Sequence, residues 1–238
     1  MTFREEMAAA ATEYGLTLSE RQLQQFARYN DLLLEWNQKM NLTAITAPRE
    51  VAVKHMIDSL AAYDEDWFQG VTTIVDVGTG AGFPGLPLKI FRPSLRLTLI
   101  DALAKRVRFL EEVTAALDLA DVVCVHARAE EAARQKTYRE RFDIAVSRAV
   151  ASLPVLAEYT LPFVKPGGCF LALKGAKYQE ETKAAQNALT VLGGCLAETR
   201  PIHLPGLTDT RAILCVRKEK PTPAAYPRKA GTPEKKPL

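Results

Sequence analysis

Apolar side chains follow two different rhythms along this chain. Over roughly the first 65 residues they recur at helical spacing, with Leu23, Phe26, Leu33 and Met40 on one face and Leu32 and Trp36 beside it. Ser19, followed three residues on by Gln22, forms a capping box that opens this helix. Asn41-Leu42-Thr43 interrupts it, and Pro48 is placed to open a third helix reaching about Tyr63. From residue 72 onward, short apolar runs alternate with amphipathic stretches. The pattern predicts strands at roughly 72–77, 96–101, 121–125, 142–147, 168–174, 195–203 and 211–217. The clearest helix spans 103–117, where Val107, Leu110, Val113 and Leu117 share one side. Alternating strands and helices predict a parallel sheet covered on both faces. Only His203 to Asp209 separates the last two strands, too little for a helix, so they are expected to form an antiparallel hairpin that ends the sheet.

The length of 238 residues suits one large domain, or one domain with an appended subdomain. The predicted organisation is a helical extension over 1–65, an α/β domain over 66–217 and a basic, proline-rich tail over 218–238, expected to be extended and poorly ordered. The net charge of +3 says little, but its distribution says more. Residues 217–238 hold seven basic residues against two acidic ones, so the tail is a candidate for attracting phosphate, or else a passive solubilising extension. Cys124, Cys169, Cys195 and Cys215 are scattered without Cys-x-x-Cys spacing, which argues against a zinc site or disulfide framework. No metal is expected. The sequence shows neither a signal pattern nor an apolar run long enough to span a bilayer, so a cytoplasmic protein without a membrane partner is expected, and the formal glycosylation triplet at Asn41 is discounted.

Candidate chemistry concentrates in Val75-Asp76-Val77-Gly78-Thr79-Gly80-Ala81-Gly82-Phe83-Pro84-Gly85. A strand ends at an acid and then at glycines, which let the backbone turn sharply and approach a nucleotide. Asp101 closes the next apolar run, where doubly wound folds place the carboxylate that holds an adenosine ribose. Starting at Gly80, the residues Gly80, Gly82 and Gly85 match a dinucleotide fingerprint. Starting at Gly78, Phe83 stands where that fingerprint wants its third glycine. Close glycines suit a pyrophosphate. S-adenosylmethionine has none, so its loop tolerates a bulky side chain, and this cofactor is the preferred reading.

Several runs recur together in a familiar order: Asn41-Leu42-Thr43-Ala44-Ile45, His55-Met56-Ile57-Asp58-Ser59-Leu60, the glycine loop, Lys105-Arg106-Val107-Arg108-Phe109-Leu110, Ser147-Arg148-Ala149 and Ala172-Leu173-Lys174-Gly175. Over nearly its whole length the chain resembles the RsmG/GidB family, bacterial methyltransferases acting on guanine N7 of 16S ribosomal RNA in the small ribosomal subunit. The tail Tyr226-Pro227-Arg228-Lys229-Ala230-Gly231-Thr232-Pro233 resembles that of the Gram-positive branch. The resemblance implies an α/β, Rossmann-like class I S-adenosylmethionine-dependent methyltransferase fold: a seven-stranded, mostly parallel sheet with an antiparallel final strand, behind an N-terminal helical extension. It implies cofactor contacts from Gly78, Phe83, Ala129, Glu130 and Arg148, with Asp101, Ala102 and Leu103 on the ribose and adenine side. Asp76, Gly80 and Gly82 complete the candidate cofactor set from the glycine loop itself. The partner implied is 16S ribosomal RNA or the small subunit, and a monomer is expected.

Guanine N7 is a bare lone pair with no proton to remove. The position that holds an Asn/Asp-Pro-Pro-aromatic run in methyltransferases of exocyclic amines reads Ser147-Arg148-Ala149-Val150 here, and neither that acceptor nor a strong base is required. Alignment of N7 with the methyl group remains as the source of rate. Lys174 and Arg211 are the candidates for contact with base or phosphate. Plainer roles stay open beside these. They are a loop cap for Asp76, a surface acid for Asp101, and an ion pair of Arg148 with Asp143 or Glu158. For Lys54, His55 and Asp58 the default is a helical face with a solvated Lys54–Asp58 pair, which the resemblance makes a wall of the active cleft, and for Lys105, Arg106 and Arg108 a solvated face stands beside an RNA contact. Phe26, Trp36 and Trp67 read as core, whereas Phe83 is expected beside the cofactor. Alternative functions are methylation of another base or small molecule, a nicotinamide dehydrogenase, and a non-catalytic ribosome-assembly or RNA-binding factor.

Overall fold

In the computed structural model, which describes residues 1–238, seven strands form one sheet in the order β3-β2-β1-β4-β5-β7-β6. They are β1 (Thr73–Val77), β2 (Arg96–Asp101), β3 (Val122–His126), β4 (Phe142–Arg148), β5 (Val164–Lys174), β6 (Gly194–Ile202) and β7 (Arg211–Lys218). The first five run parallel, with Val77 beside Ile100 and Asp76 beside Val146. β7 enters antiparallel between β5 and β6, so the expected hairpin ends the sheet. Chain order reverses between β1 and β4, and ligands of open α/β sheets bind at the carboxyl edge beside such a reversal.

Alternation along the strands explains the two layers. Ile74, Leu97, Leu99, Ile144, Val146, Leu171 and Ile213 face one core, and Val75, Val77, Ile100, Ala145, Phe170, Ala172 and Leu214 face the other. The first core is covered by α1 (Phe3–Glu13), α2 (Glu20–Asn37), α3 (Pro48–Leu60), α4 (Gly85–Phe91) and α5 (Ala104–Ala116). Both α1 and α2 open with capping boxes, Thr2 with Glu5 and Ser19 with Gln22. The second core is covered by α6 (Ala129–Ala132), α7 (Leu153–Thr160), α8 (Tyr178–Ala184) and α9 (Gln186–Val191). Phe26, Tyr29 and Leu33 of α2 are buried in the same cluster as strand residues, so the helical segment shares a core with the sheet.

α3 is not a uniform α-helix. Its middle, Ala52–Ile57, is π-helical, between Pro48–Val51 and Asp58–Leu60. The wider turn breaks the 3.6-residue spacing from which Lys54 and Asp58 would share a face. Lys54 pairs with Glu50, while Asp58 is buried and turned to the sheet. The solvated Lys54–Asp58 pair is therefore not formed.

The tail departs from expectation. Rather than a poorly ordered extension, residues 219–238 fold against the second core. Arg228 grips the fully buried Glu158, with Nε at 2.9 and 3.1 Å from its two oxygens and Nη2 at 2.6 Å. Arg139 donates to the carbonyls of Thr222 and Tyr226, and Gly231 N donates to Glu130 Oε1 at 3.0 Å. Composition concealed this because the partners that order the tail, Arg139, Glu158 and Glu130, lie some 70 to 100 residues away.

A candidate cofactor crevice and substrate cleft

The loop after β1 is built from backbone that side chains would obstruct. Gly78, Gly80 and Gly82 have φ of 71°, 60° and 97°, a region that side-chain-bearing residues rarely adopt. A Cβ on Gly78 would lie 2.6 Å from Val150 Cγ2, and one on Gly82 would lie 2.6 Å from the Tyr29 hydroxyl. Asp76 holds this loop from inside. Its Oδ2 accepts from Gly85 N (2.8 Å) and the Thr79 hydroxyl (2.7 Å), and the residue is fully buried. Burial pushes its carboxyl up to about 7, and Oδ1 has no partner. Asp76 thus caps the loop.

Asp101, at the end of β2, links the two loops of the crevice. Oδ2 accepts from Gly80 N at 2.9 Å and Oδ1 from Leu103 N at 2.9 Å, with Arg106 at 3.5 Å. It is therefore no plain surface acid. A carboxylate offers about four lone-pair sites, so these three donors leave room for one ligand hydroxyl. Leu103 beside it is half exposed (53%) and Val150 more than a third (37%), among few large apolar side chains left open. Ser147 closes the floor, donating to Val77 O at 2.7 Å across the chain reversal. A positive-φ glycine turn, a buried carboxylate with spare capacity and apolar side chains at the rim fit an adenosyl group with a sulfonium arm, and they offer no special cradle for pyrophosphate.

The other expected cofactor residues have the following neighbours within the chain. Phe83 is buried and stacks with the His55 ring (4.8 Å between centroids) and the Tyr29 ring (5.4 Å), so it fastens the glycine loop to the helical segment. The Glu130 carboxylate is taken by the tail at Gly231, while Ala129 packs against the second core. Ala102 is exposed beside Leu103. Arg148 pairs with neither Asp143 nor Glu158. Its Nη1 donates to Asp58 Oδ2 at 2.7 Å and to Lys54 O at 3.1 Å, and its guanidinium lies 4.9 Å from the Phe83 ring.

Beside the crevice opens a cleft of about 590 Å³, a size suited to a nucleotide base. Lys54, Arg148, Lys174 and Arg211 line it against two carboxylates, Asp58 and Glu181. Asp58 bridges two arginines, since its Oδ1 accepts from Arg211 Nη1 at 3.0 Å. Arg211 also donates through Nε to Asp209 at 2.7 Å. Lys174, expected to touch base or phosphate, is instead buried. Its ammonium pairs with Glu181 Oε2 at 2.7 Å and donates to Ala151 O at 2.7 Å, holding the loop after β4 in place. His55 meets the Thr43 hydroxyl through Nε2 at 2.7 Å, and burial with the nearby Arg148 charge lowers it to about 4. It is neutral near pH 7. Val150 lines the cleft and also covers Gly78, so crevice and cleft adjoin through it. Sequence reasoning gave Ser147, Val150 and Glu181 no role, and for Asp58 its default was a solvated pair with Lys54, the resemblance alone making that face a wall of the cleft. Their roles arise from tertiary neighbours, not from any local motif. Phe26 is buried, and Trp36 and Trp67 are partly buried against the first core.

No group of three or more His, Cys, Asp or Glu side chains is placed to hold a metal, and no helix is long and apolar enough to cross a membrane. The family model GidB, rRNA small subunit methyltransferase G, matches residues 22–205. The chain is 54% identical over 226 residues to the ribosomal RNA small subunit methyltransferase G of Alkaliphilus metalliredigens (strain QYMF), covering 95% of each chain. It is 49% identical over 238 residues to that of Clostridium botulinum (strain Eklund 17B / Type B), covering all of both. Among solved structures, P. horikoshii TYW2 in complex with MeSAdo is similar, with TM-score 0.52, 14% identity, and coverage of 68% of this chain and 62% of that one. That likeness concerns the fold alone, and the fold is the class I S-adenosylmethionine-dependent methyltransferase fold.

Proposed function

The chain belongs to the GidB family, rRNA small subunit methyltransferase G, and from that premise we propose that it transfers the methyl group of S-adenosylmethionine to N7 of a guanine in 16S ribosomal RNA. One observation carries the reading. The bare glycine turn and the cation-lined cleft share Val150, so a methyl donor in the crevice and a base in the cleft would meet there. S-adenosylmethionine supplies an electrophilic methyl group. The backbone at Gly78, Gly80 and Gly82 would accommodate its amino-acid arm, and Asp101 would take a ribose hydroxyl. Ala102, Leu103 and Ala129 would line the adenine side. Asp76, Phe83, Glu130 and Arg148 would support this shell through the contacts described above.

Transfer to N7 asks for alignment rather than proton removal. The cleft is built accordingly. Both oxygens of Asp58 are occupied by arginines, neutral His55 is tied to Thr43, and Lys174 is tied to Glu181. None of them is poised as a base. The exposed part of Arg211 is suited to an RNA phosphate or to guanine O6, which orients the ring without blocking N7. Lys174 acts as a positioning residue through Ala151. A ribosomal substrate supports a cytoplasmic location, and the small number of exposed large apolar residues, Met1, Leu103, Val123 and Val150, supports a monomer.

The purified protein, incubated with methyl-labelled S-adenosylmethionine and small-subunit RNA, is expected to yield label in 7-methylguanosine after nuclease digestion. Label in another nucleoside, or in none, would overturn the proposal.

A further inference from the structure

Resting on the guanine-N7 reading, we infer that Glu181 determines base specificity by accepting from the Watson–Crick edge of the target guanine through Oε1. Of the two carboxylates that line the cleft, Asp58 has both oxygens occupied by Arg148 and Arg211, and its side chain is only 4% exposed. Glu181 is different. Its Oε2 accepts from Leu153 N at 2.7 Å and forms an ion pair with Lys174 Nζ at 2.7 Å, and its side chain is 26% exposed. One hydrogen bond and one ion pair at the same oxygen hold the carboxylate, while Oε1 receives no donor from the protein. Lys174 balances its charge. Glu181 lines the cleft, and its Oε1 is an acceptor that nothing in the chain satisfies.

Guanine is the base that fits such an acceptor. Its N1–H and N2–H₂ donors stand side by side on one edge, and N7 lies on the other. Adenine offers a lone pair at N1, which a carboxylate repels. The strand order gives these edges a direction. The crevice lies over β1 and β2, β4 comes next, and Glu181 sits on α8, which follows β5 on the far side of β4. A guanine lying across the end of β4 with N1 and N2 toward Glu181 turns N7 toward the crevice. The contact that selects the base thus also aims the reacting atom. A polar site left without its partner rejects the analogue more strongly than an apolar pocket does.

The test compares a small-subunit RNA substrate carrying guanosine or inosine at the methylated position. Inosine lacks only the 2-amino group. Wild-type kcat/KM is expected to fall by roughly 10- to 100-fold on inosine, the size of a lost specific base contact. In Glu181→Ala, activity on guanosine falls by a similar factor and the guanosine-to-inosine ratio moves close to one. A role confined to holding Lys174 and Leu153 would lower both rates together and keep the wild-type ratio, which would overturn the inference. Should the alanine variant not fold, Glu181→Gln keeps an acceptor for Leu153 N and is expected to lower the ratio in the same direction. A wild-type enzyme that methylates no guanosine substrate would instead refute the functional reading beneath it. Normal guanosine methylation with an unchanged ratio in the variants would refute only the role of Glu181.

Discussion

Replacing Asp58 by Asn tests the clasp that joins the helical segment to the methyl-transfer edge. Asp58 sits in α3, just past the π-helical turn, and one oxygen faces each of Arg148 and Arg211 at 2.7 and 3.0 Å. Asn keeps the shape but removes the charge and turns an NH₂ donor toward one guanidinium. Removing one partner of a buried ion pair typically costs about 3–5 kcal/mol. Arg148 keeps its bonds to the Lys54 and His55 carbonyls, and Arg211 keeps Asp209, so the lower end applies, about 3 kcal/mol. For a chain of this length that is a melting-temperature drop of roughly 6–12 °C. Calorimetry gives the stability term, and initial rates against RNA concentration give the functional one. Arg211 should lose its aim, raising KM for RNA more than KM for S-adenosylmethionine. A variant melting within about 2 °C of wild type, with both KM values unchanged, would show that Asp58 does not organise this site.

Gly78→Ala forces a left-handed residue against Val150 and is expected to weaken S-adenosylhomocysteine binding at least about tenfold by calorimetry, while circular dichroism stays native. Arg228→Ala leaves Glu158 buried without its guanidinium; because Arg228 is a quarter exposed, a loss of about 2–3 kcal/mol in urea unfolding is expected, partly recovered by Glu158→Gln in the same chain. His55, held near 4 against its usual 6.5, binds fewer protons folded than unfolded, so its contribution is fully present above about 6.5 and fades as pH falls toward 4. His55→Gln should therefore flatten the decline of the urea midpoint between pH 6.5 and 4.5. Asp76, raised to about 7, works in the opposite sense, its contribution fading as pH rises from 4 toward 7.

The sheet was legible because its signals are local. Apolar runs such as Ile74-Val75 and Leu97-Thr98-Leu99-Ile100 mark buried parallel strands, and the short His203–Asp209 connection leaves only a hairpin. The glycine turn and Asp101 were legible for the same reason, since positive φ and a carboxylate at a strand end leave marks in the residues themselves. The roles of charged side chains were not. Arg148 found Asp58 instead of Asp143 or Glu158, 90 residues away in sequence, because a π-helical turn rotates Asp58 inward. Lys174 found Glu181, and Phe83 found Tyr29 and His55. Such choices depend on which partner tertiary packing brings near, and charge type alone does not encode that. The tail failed for a related reason. Proline and basic residues read as disorder until buried carboxylates are there to receive them.

Nucleoside mass mapping of small-subunit ribosomal RNA from cells with and without this protein tests the central claim most directly. The account predicts that one 7-methylguanosine disappears when the protein is absent and returns with the wild-type chain but not with Gly78→Ala. Unchanged 7-methylguanosine, or the loss of a different modified nucleoside, would contradict it.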